Sequence, residues 1–160
     1  MSKRAIKKAI SLYYTFKEES ITPLDIDGII EQVGVELIPW NFPDHIRGCL
    51  MHDNDYTYMG INKKHLVSYP NLARFTKAHE LGHYYLHDDK RYYCVEDLMK
   101  SATKKNNPIE WEANTFAAEL LMPGTLMKKL YKDMTTKELS IYFKVSKESI
   151  IYRLNNLGLI

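Results

Sequence analysis

Cysteine is scarce in this chain: two in 160 residues, Cys49 and Cys94, in unrelated contexts. That excludes a disulfide-framed small fold and a Cys-rich structural zinc module, and the expectation is two free thiols in a reducing cytosol. Long apolar runs are missing as well. None approaches the roughly 18 residues of a membrane span, so no membrane partner is expected. The N-terminus is basic at Lys3, Arg4, Lys7 and Lys8, but no apolar h-region or small-residue cleavage site follows. A secretory signal is therefore not expected, and the cytoplasm is the predicted location. Repeats and low-complexity tracts are absent too. What remains is an ordinary globular composition, 45% hydrophobic and 26% charged, of a length that fits one domain over residues 1–160.

The net charge of +2 hides an uneven distribution. Residues 1–20 carry five Lys/Arg against two Glu, residues 21–124 ten against fifteen acids, and residues 125–160 seven against three. Basic ends flank an acidic middle. Periodicity predicts a helix over residues 3–17 and a second opened by Thr22 and Asp25 and closed at Gly34. A strand over Val35–Ile38 is expected to stop at Pro39. Two more, Gly48–His52 and Tyr56–Asn62, are joined at Asp53-Asn54-Asp55 as a hairpin. Helices are predicted over residues 72–87 and 108–121, with a polar stretch between them that holds at most a short helix near 95–100. Short helices complete the chain, with residues 125–160 as a helical pair. Strands followed by helices indicate α+β: a small antiparallel sheet packed on a helical core.

What the chain does have is His79-Glu80-Leu81-Gly82-His83. On a helix, four residues advance about 6 Å and a little over one turn, so both imidazoles leave from one face. Two ring nitrogens can then reach one Zn²⁺ at roughly 2.0–2.1 Å. Glu80, about 100° around the helix, flanks the ion, where a carboxylate takes a proton from water without being a ligand. With six histidines in the chain, chance produces the pentad in roughly one such sequence in seventy. The bland alternative is a helix with two buried histidines. Leu72, Phe75, His79, His83 and Leu86 share one stripe, which puts the pair on the inward face, and a buried pair with no shared partner is costly.

A catalytic zinc site takes three protein ligands and keeps a fourth position open. The metzincin pattern would need Gly at position 86 and His at 89; the chain has Leu86 and Asp89. His87 extends the histidine row but lies too far along the helix to share a tetrahedral ion, and reads as a core residue or as one that supports a ligand. In the helix from Pro108, Glu110 faces inward with Asn114, Ala117 and Leu121, while Glu112, Thr115 and Glu119 form an outer stripe that reads as solvated. Glu110 is thus the candidate third ligand, although Asn107, Pro108 and Glu110 would also make a capping box. Glu96 and Asp97 are further alternatives. Asn114 is placed to hydrogen-bond the outer nitrogen of a ligand histidine.

The stretch from Arg74 to His87, followed by Glu110-Trp111-Glu112-Ala113-Asn114 through Met122-Pro123, resembles the ImmA/IrrE family of metallo-endopeptidases, HExxH zincins of gluzincin-like type. The C-terminal run from Val145 to Leu159 resembles the end of those proteins. The likeness covers the chain from about Ile61 onward and departs nowhere from the family's catalytic pattern. It implies a zinc endopeptidase with His79, His83 and Glu110 as ligands and Glu80 as the catalytic glutamate. It also implies a protein encoded on a bacterial chromosome, prophage or integrative element, whose substrate is a DNA-binding repressor.

Several expectations accompany this reading. Glu80 takes the water proton and passes it to the leaving amine. The substrate adds as a strand to an exposed sheet edge, with Tyr56–Asn62 as the candidate. None of Tyr84, Tyr85 or His87 is singled out as the oxyanion's stabiliser, and Gly82 permits close backbone packing. One rival function is a DNA-binding regulator: Thr135 to Glu138 is a capping box, Ser146 caps a second helix, and two short helices with a net +4 resemble a helix-turn-helix. The plainer alternative packs this pair on the body through Leu139, Phe143, Ile150, Ile151, Leu154 and Leu157. The other rival is a zinc-containing interaction module without turnover, which leaves Glu80 without a purpose.

Overall fold

A computed structural model describes residues 2–17, 23–53, 55–87, 93–96 and 107–160. The expectations that fall on Thr22, Asn54, Asp89, Asp97 and residues 97–100 lie outside the described residues. Among the described residues the elements are α1 (Lys3–Phe16), α2 (Ile26–Gln32), β1 (Val35–Trp40), β2 (Ile46–Asp53), β3 (Tyr56–Asn62), α3 (Lys63–Ser68) and α4 (Pro70–Leu86). They continue with β4 (Tyr93–Glu96), α5 (Pro108–Leu121), α6 (Gly124–Leu130), α7 (Thr136–Phe143) and α8 (Lys147–Asn156). The class is α+β. No described helix is long and apolar enough to cross a membrane.

Local chemistry accounts for the element ends. Ser2 caps α1 by accepting from the Ala5 N–H, and Ala5, Ala9, Leu12 and Tyr13 form its buried stripe. Asp25 is the N-cap of α2, accepting from the Gly28 N–H. Pro39 does not stop β1, because an edge strand has one side that needs no N–H donor. Asn62 ends β3 and caps α3, and its amide donates to the Phe42, Pro43 and Ile46 carbonyls at 3.4, 3.2 and 2.8 Å, which fixes the loop before β2.

The sheet runs β1-β3-β2-β4. The antiparallel pairing expected of the hairpin holds for β2 with β3 and again for β2 with β4, while β1 joins β3 in parallel. This topology corrects the strand-addition expectation. Tyr56–Asn62 is β3, paired on both sides, so it offers no row of unpaired backbone groups; β1 and β4 are the edges. Tyr93–Glu96 is a strand where a short helix was expected to begin. The free-thiol expectation also fails. Cys49 is disulfide-bonded, and the β2–β4 register sets Cys94, the other cysteine, directly across from it.

Helix α4 lies between the sheet and α5. Two glycines permit the close approach. A Cβ on Gly82 would come 3.0 Å from the Ala113 Cα and 3.1 Å from its carbonyl oxygen, and one on Gly48 of β2 would come 2.7 Å from the Thr76 Cγ2. Helix α1 packs along α5 and sends Arg4 to the last turn of α4, where its guanidinium donates to the Leu86 carbonyl at 2.6 Å.

The C-terminal pair folds as its capping residues predict: Thr135 and Glu138 form the box and Ser146 caps α8. It packs on the body through Leu139, Phe143, Ile150 and Leu154, which are buried, while Ile151 stays exposed. Arg153 is buried as well. It donates to the Met122 carbonyl at 3.0 Å and pairs with the equally buried Glu119, whose other oxygen accepts from the Gly124 N–H at 2.9 Å.

Candidate metal centre

Helix α4 carries both pentad histidines on its buried face, and α5 packs against it. Three side chains converge there. The His79 and His83 Nε2 atoms stand 2.9 Å apart. The Glu110 carboxylate bridges them, with Oε2 at 3.2 Å from His79 Nε2 and Oε1 at 3.3 Å from His83 Nε2. Ligand atoms 2.0–2.1 Å from one tetrahedral ion stand about 3.3 Å apart, so the spacing suits a single small cation. Among the described residues these three are the one group of His, Cys, Asp or Glu with that convergence. Asn107 does cap α5, through the Ile109 N–H, and Pro108 is in its first turn. Yet Glu110 turns its oxygens to the histidines rather than back to the cap.

Protonation favours ligation. Burial holds the His83 pKa down at about 4, against an opposing hydrogen bond from Glu110, so its ring is neutral at pH 7. For Glu110, burial alone would favour the neutral acid, but the facing His79 and His83 rings outweigh it and hold the carboxyl well below its ordinary range. A carboxylate facing two imidazole nitrogens is a cation site by its donor set.

The outer ring nitrogens are both engaged. His79 Nδ1 lies 2.9 Å from Asn114 Oδ1, an acceptor, so Nδ1 carries the proton and Nε2 presents its lone pair inward. His83 Nδ1 meets His87 Nδ1 at 3.1 Å. From there a chain continues: His87 Nε2 to Glu112 Oε2 at 3.3 Å, and Glu112 Oε1 to the Ser2 hydroxyl, which donates at 2.7 Å. His87 thus supports a candidate ligand, one of its two expected places, but its link to Glu112 and Ser2 was not anticipated. Glu112, Thr115 and Glu119 do not form a solvated stripe: α1 covers Glu112, Thr115 is buried, and Glu119 is paired with Arg153. The sequence signal for the burial was the serine cap and basic first turn of α1, but nothing in the spacing says on which helix they land.

Glu80 is completely buried, beside Leu50 of β2 and near enough to Glu110 to feel its charge. Neither of its oxygens has a well-placed hydrogen-bond donor. Burial raises its pKa well above the ordinary value, the Glu110 charge raises it further, and the backbone of Leu50 opposes both. A buried carboxyl so poor in partners is costly by itself, and a cation held by His79, His83 and Glu110 together with a water supplies what it lacks. The residues present therefore fit a metal. Tyr84 and Tyr85 are otherwise occupied: the Tyr84 hydroxyl donates to the Val33 carbonyl, and the Tyr85 ring lies between Phe116 and the Lys8 ammonium.

A helix bearing two histidines and a flanking glutamate, completed by a carboxylate from a second helix, is the arrangement of a metallopeptidase. The chain belongs to the peptidase family described as the IrrE N-terminal-like domain, whose profile matches residues 52–155. It is 30% identical over 133 residues to the uncharacterized immunity region protein 2 of Bacillus phage phi105, covering 82% of this chain and 73% of that protein. It is 29% identical over 118 residues to metallopeptidase ImmA of Bacillus subtilis strain 168, covering 69% of this chain and 64% of that protein.

Proposed function

We propose that this chain is a zinc-dependent endopeptidase that cuts a protein substrate, a bacterial helix-turn-helix repressor, in the cytoplasm. The observation that carries the reading is the convergence of His79, His83 and Glu110 beside a buried, partner-poor Glu80. The immunity-region and metallopeptidase names of the relatives support a repressor as substrate. In this reading residues 1–160 form one catalytic unit and residues 125–160 are part of it.

His79, His83 and Glu110 would hold the zinc. When bound, it supplies Lewis acidity that activates water near neutral pH and polarises the scissile carbonyl. Asn114 and His87 fix the two ligand rings. Glu80 accepts the proton of the attacking water and delivers it to the leaving amine, a role in which its loss typically costs about 10²–10⁴-fold in rate. The burial that raises the Glu80 pKa helps here, because a carboxyl of raised pKa is a better proton acceptor.

The DNA-binding alternative is the less favoured reading, because it leaves the cluster of His79, Glu80, His83 and Glu110 without a purpose. One cation of the C-terminal pair, Arg153, is buried against Glu119. Outward, α8 shows Lys147 beside Glu148, with Ile151 and Tyr152.

The test is elemental analysis of wild type, Glu80→Gln, Glu110→Gln and Glu112→Gln, each incubated with a repressor encoded beside the gene. One zinc in wild type, lost in Glu110→Gln and kept in Glu80→Gln, with cleavage abolished in Glu80→Gln, is the expected outcome. Zinc lost in Glu112→Gln but kept in Glu110→Gln overturns the ligand set. No zinc in any variant after reconstitution overturns the hydrolase.

A further inference from the structure

A cavity of about 650 Å³ lies between the first half of α4, α5 and α8, and its walls are mostly apolar. Leu72 and Phe75 line it from α4, Trp111, Asn114 and Ala118 from α5, and Tyr152 from α8. Its position is informative. Asn114 belongs to both the cavity and the metal centre, since its side chain lines the one and accepts from His79 in the other. Phe75 is one turn before His79, and Trp111 directly follows Glu110. The cavity therefore begins at the outer face of the His79 ring, where Asn114 stands, and runs along α4 and α5.

We propose that this cavity is the specificity pocket of the peptidase: it receives a large apolar side chain of the polypeptide substrate beside the bond that is cut, and α8 is its outer wall. The inference rests on the peptidase reading and adds to it the substrate chemistry and the element that selects it. A polypeptide drawn over His79 and Glu110 has to lay its next residues along the groove that begins there. Most of the wall surface they meet is aromatic and aliphatic, which rewards apolar burial, while Arg47 and Glu148 also stand in the lining. The volume exceeds any one side chain, so it also takes the backbone that follows. The C-terminal pair, whose sequence resembled a DNA-reading module, thus serves as a substrate-reading one, clamped to α5 by Arg153 and Glu119.

The experiment uses the zinc-loaded full chain on a peptide mixture prepared from a digested bacterial lysate, with cut sites read by mass spectrometry. Wild type, Ala118→Phe, which narrows the pocket, and Tyr152→Ala, which opens its exposed wall, are compared. Wild type should cut beside Phe, Tyr, Leu or Met at one fixed position. Ala118→Phe should shift that position to Gly, Ala or Ser and lower kcat/KM for a phenylalanine-bearing peptide by about 10–100-fold. Tyr152→Ala should broaden the preference with zinc content unchanged. Because Tyr152 is exposed, that variant decides the matter should Ala118→Phe fail to fold. A profile without apolar preference, or one identical in both folded variants, overturns the pocket. Two zinc-chelating hydroxamates, one bearing phenylalanine and one glycine, separate this outcome from failure of the peptidase reading. With no peptide cut, a phenylalanine compound bound at least about 10-fold more tightly by wild type but not by the variants upholds the pocket. Equal affinities overturn it.

Discussion

A carboxyl group as deeply buried as Glu80 and as poor in hydrogen bonds is unusual, and it makes the metal-free protein sensitive to pH in a definite direction. Its pKa is raised in the folded chain, so above the ordinary value of 4.5 the folded state retains a proton that the unfolded state has released. Its contribution to stability is complete below 4.5 and is lost as pH rises through the folded value. Glu80→Gln removes that slope. At pH 8 the metal-free variant should be more stable than wild type by on the order of 1–3 kcal/mol, read as a melting temperature higher by about 2–4 °C per kcal/mol, even though turnover is gone. A variant that melts below wild type at pH 8 contradicts this account. His87 makes a second residue-scale prediction. Since it orients His83 and is itself held by Glu112, His87→Ala should weaken zinc affinity about 10–100-fold while far-ultraviolet circular dichroism stays unchanged. Competition against a chelator measures it, and affinity within twofold of wild type rules the role out. At this scale the sequence was most legible where helical period alone decides direction: His79, His83, Glu110 and Asn114 all project as the spacing says. Glu112 was not legible, because its partners come from residues 2 and 87 and no local pattern encodes that meeting.

Among the elements, α4 and α5 were readable almost to the residue, since Asn107 and Pro108 open α5 and Pro123 follows its end. The sheet was less so. Strand pairing depends on contacts distant in sequence, so neither the central place of β3 nor the existence of β4 could be taken from period-two alternation. Helices α5 and α8 are joined by a buried ion pair, Glu119 with Arg153. Removing one member of a buried ion pair leaves the other uncompensated, which costs about 3–5 kcal/mol. Arg153→Ala should therefore lower the melting temperature markedly, and the double change Glu119→Leu with Arg153→Met should restore most of the loss. If the single and double variants melt alike, the pair does not hold α8.

For the whole molecule, the disulfide is the feature that composition reading missed, since two cysteines without a spacing pattern say nothing about register. Cys49 should titrate as a thiol under denaturing conditions only after reductant is added. A cross-link spanning residues 49 to 94 should contribute about 2–4 kcal/mol. A full equivalent of reactive thiol per cysteine in the unreduced, denatured chain would show that the bond is absent. The bond also bears on compartment, because structural disulfides are uncommon in a reducing cytosol. Two distant segments close on the same helix: Ser2 reaches Glu112 near the start of α5, and Arg153 reaches Glu119 near its end. During synthesis the ribosome delivers these anchors at opposite times. The helix that carries Glu110 gains its second anchor only when Arg153 has emerged, so a nascent chain bearing both histidines and Glu110 still lacks the clamp on α5 until some forty further residues have been made.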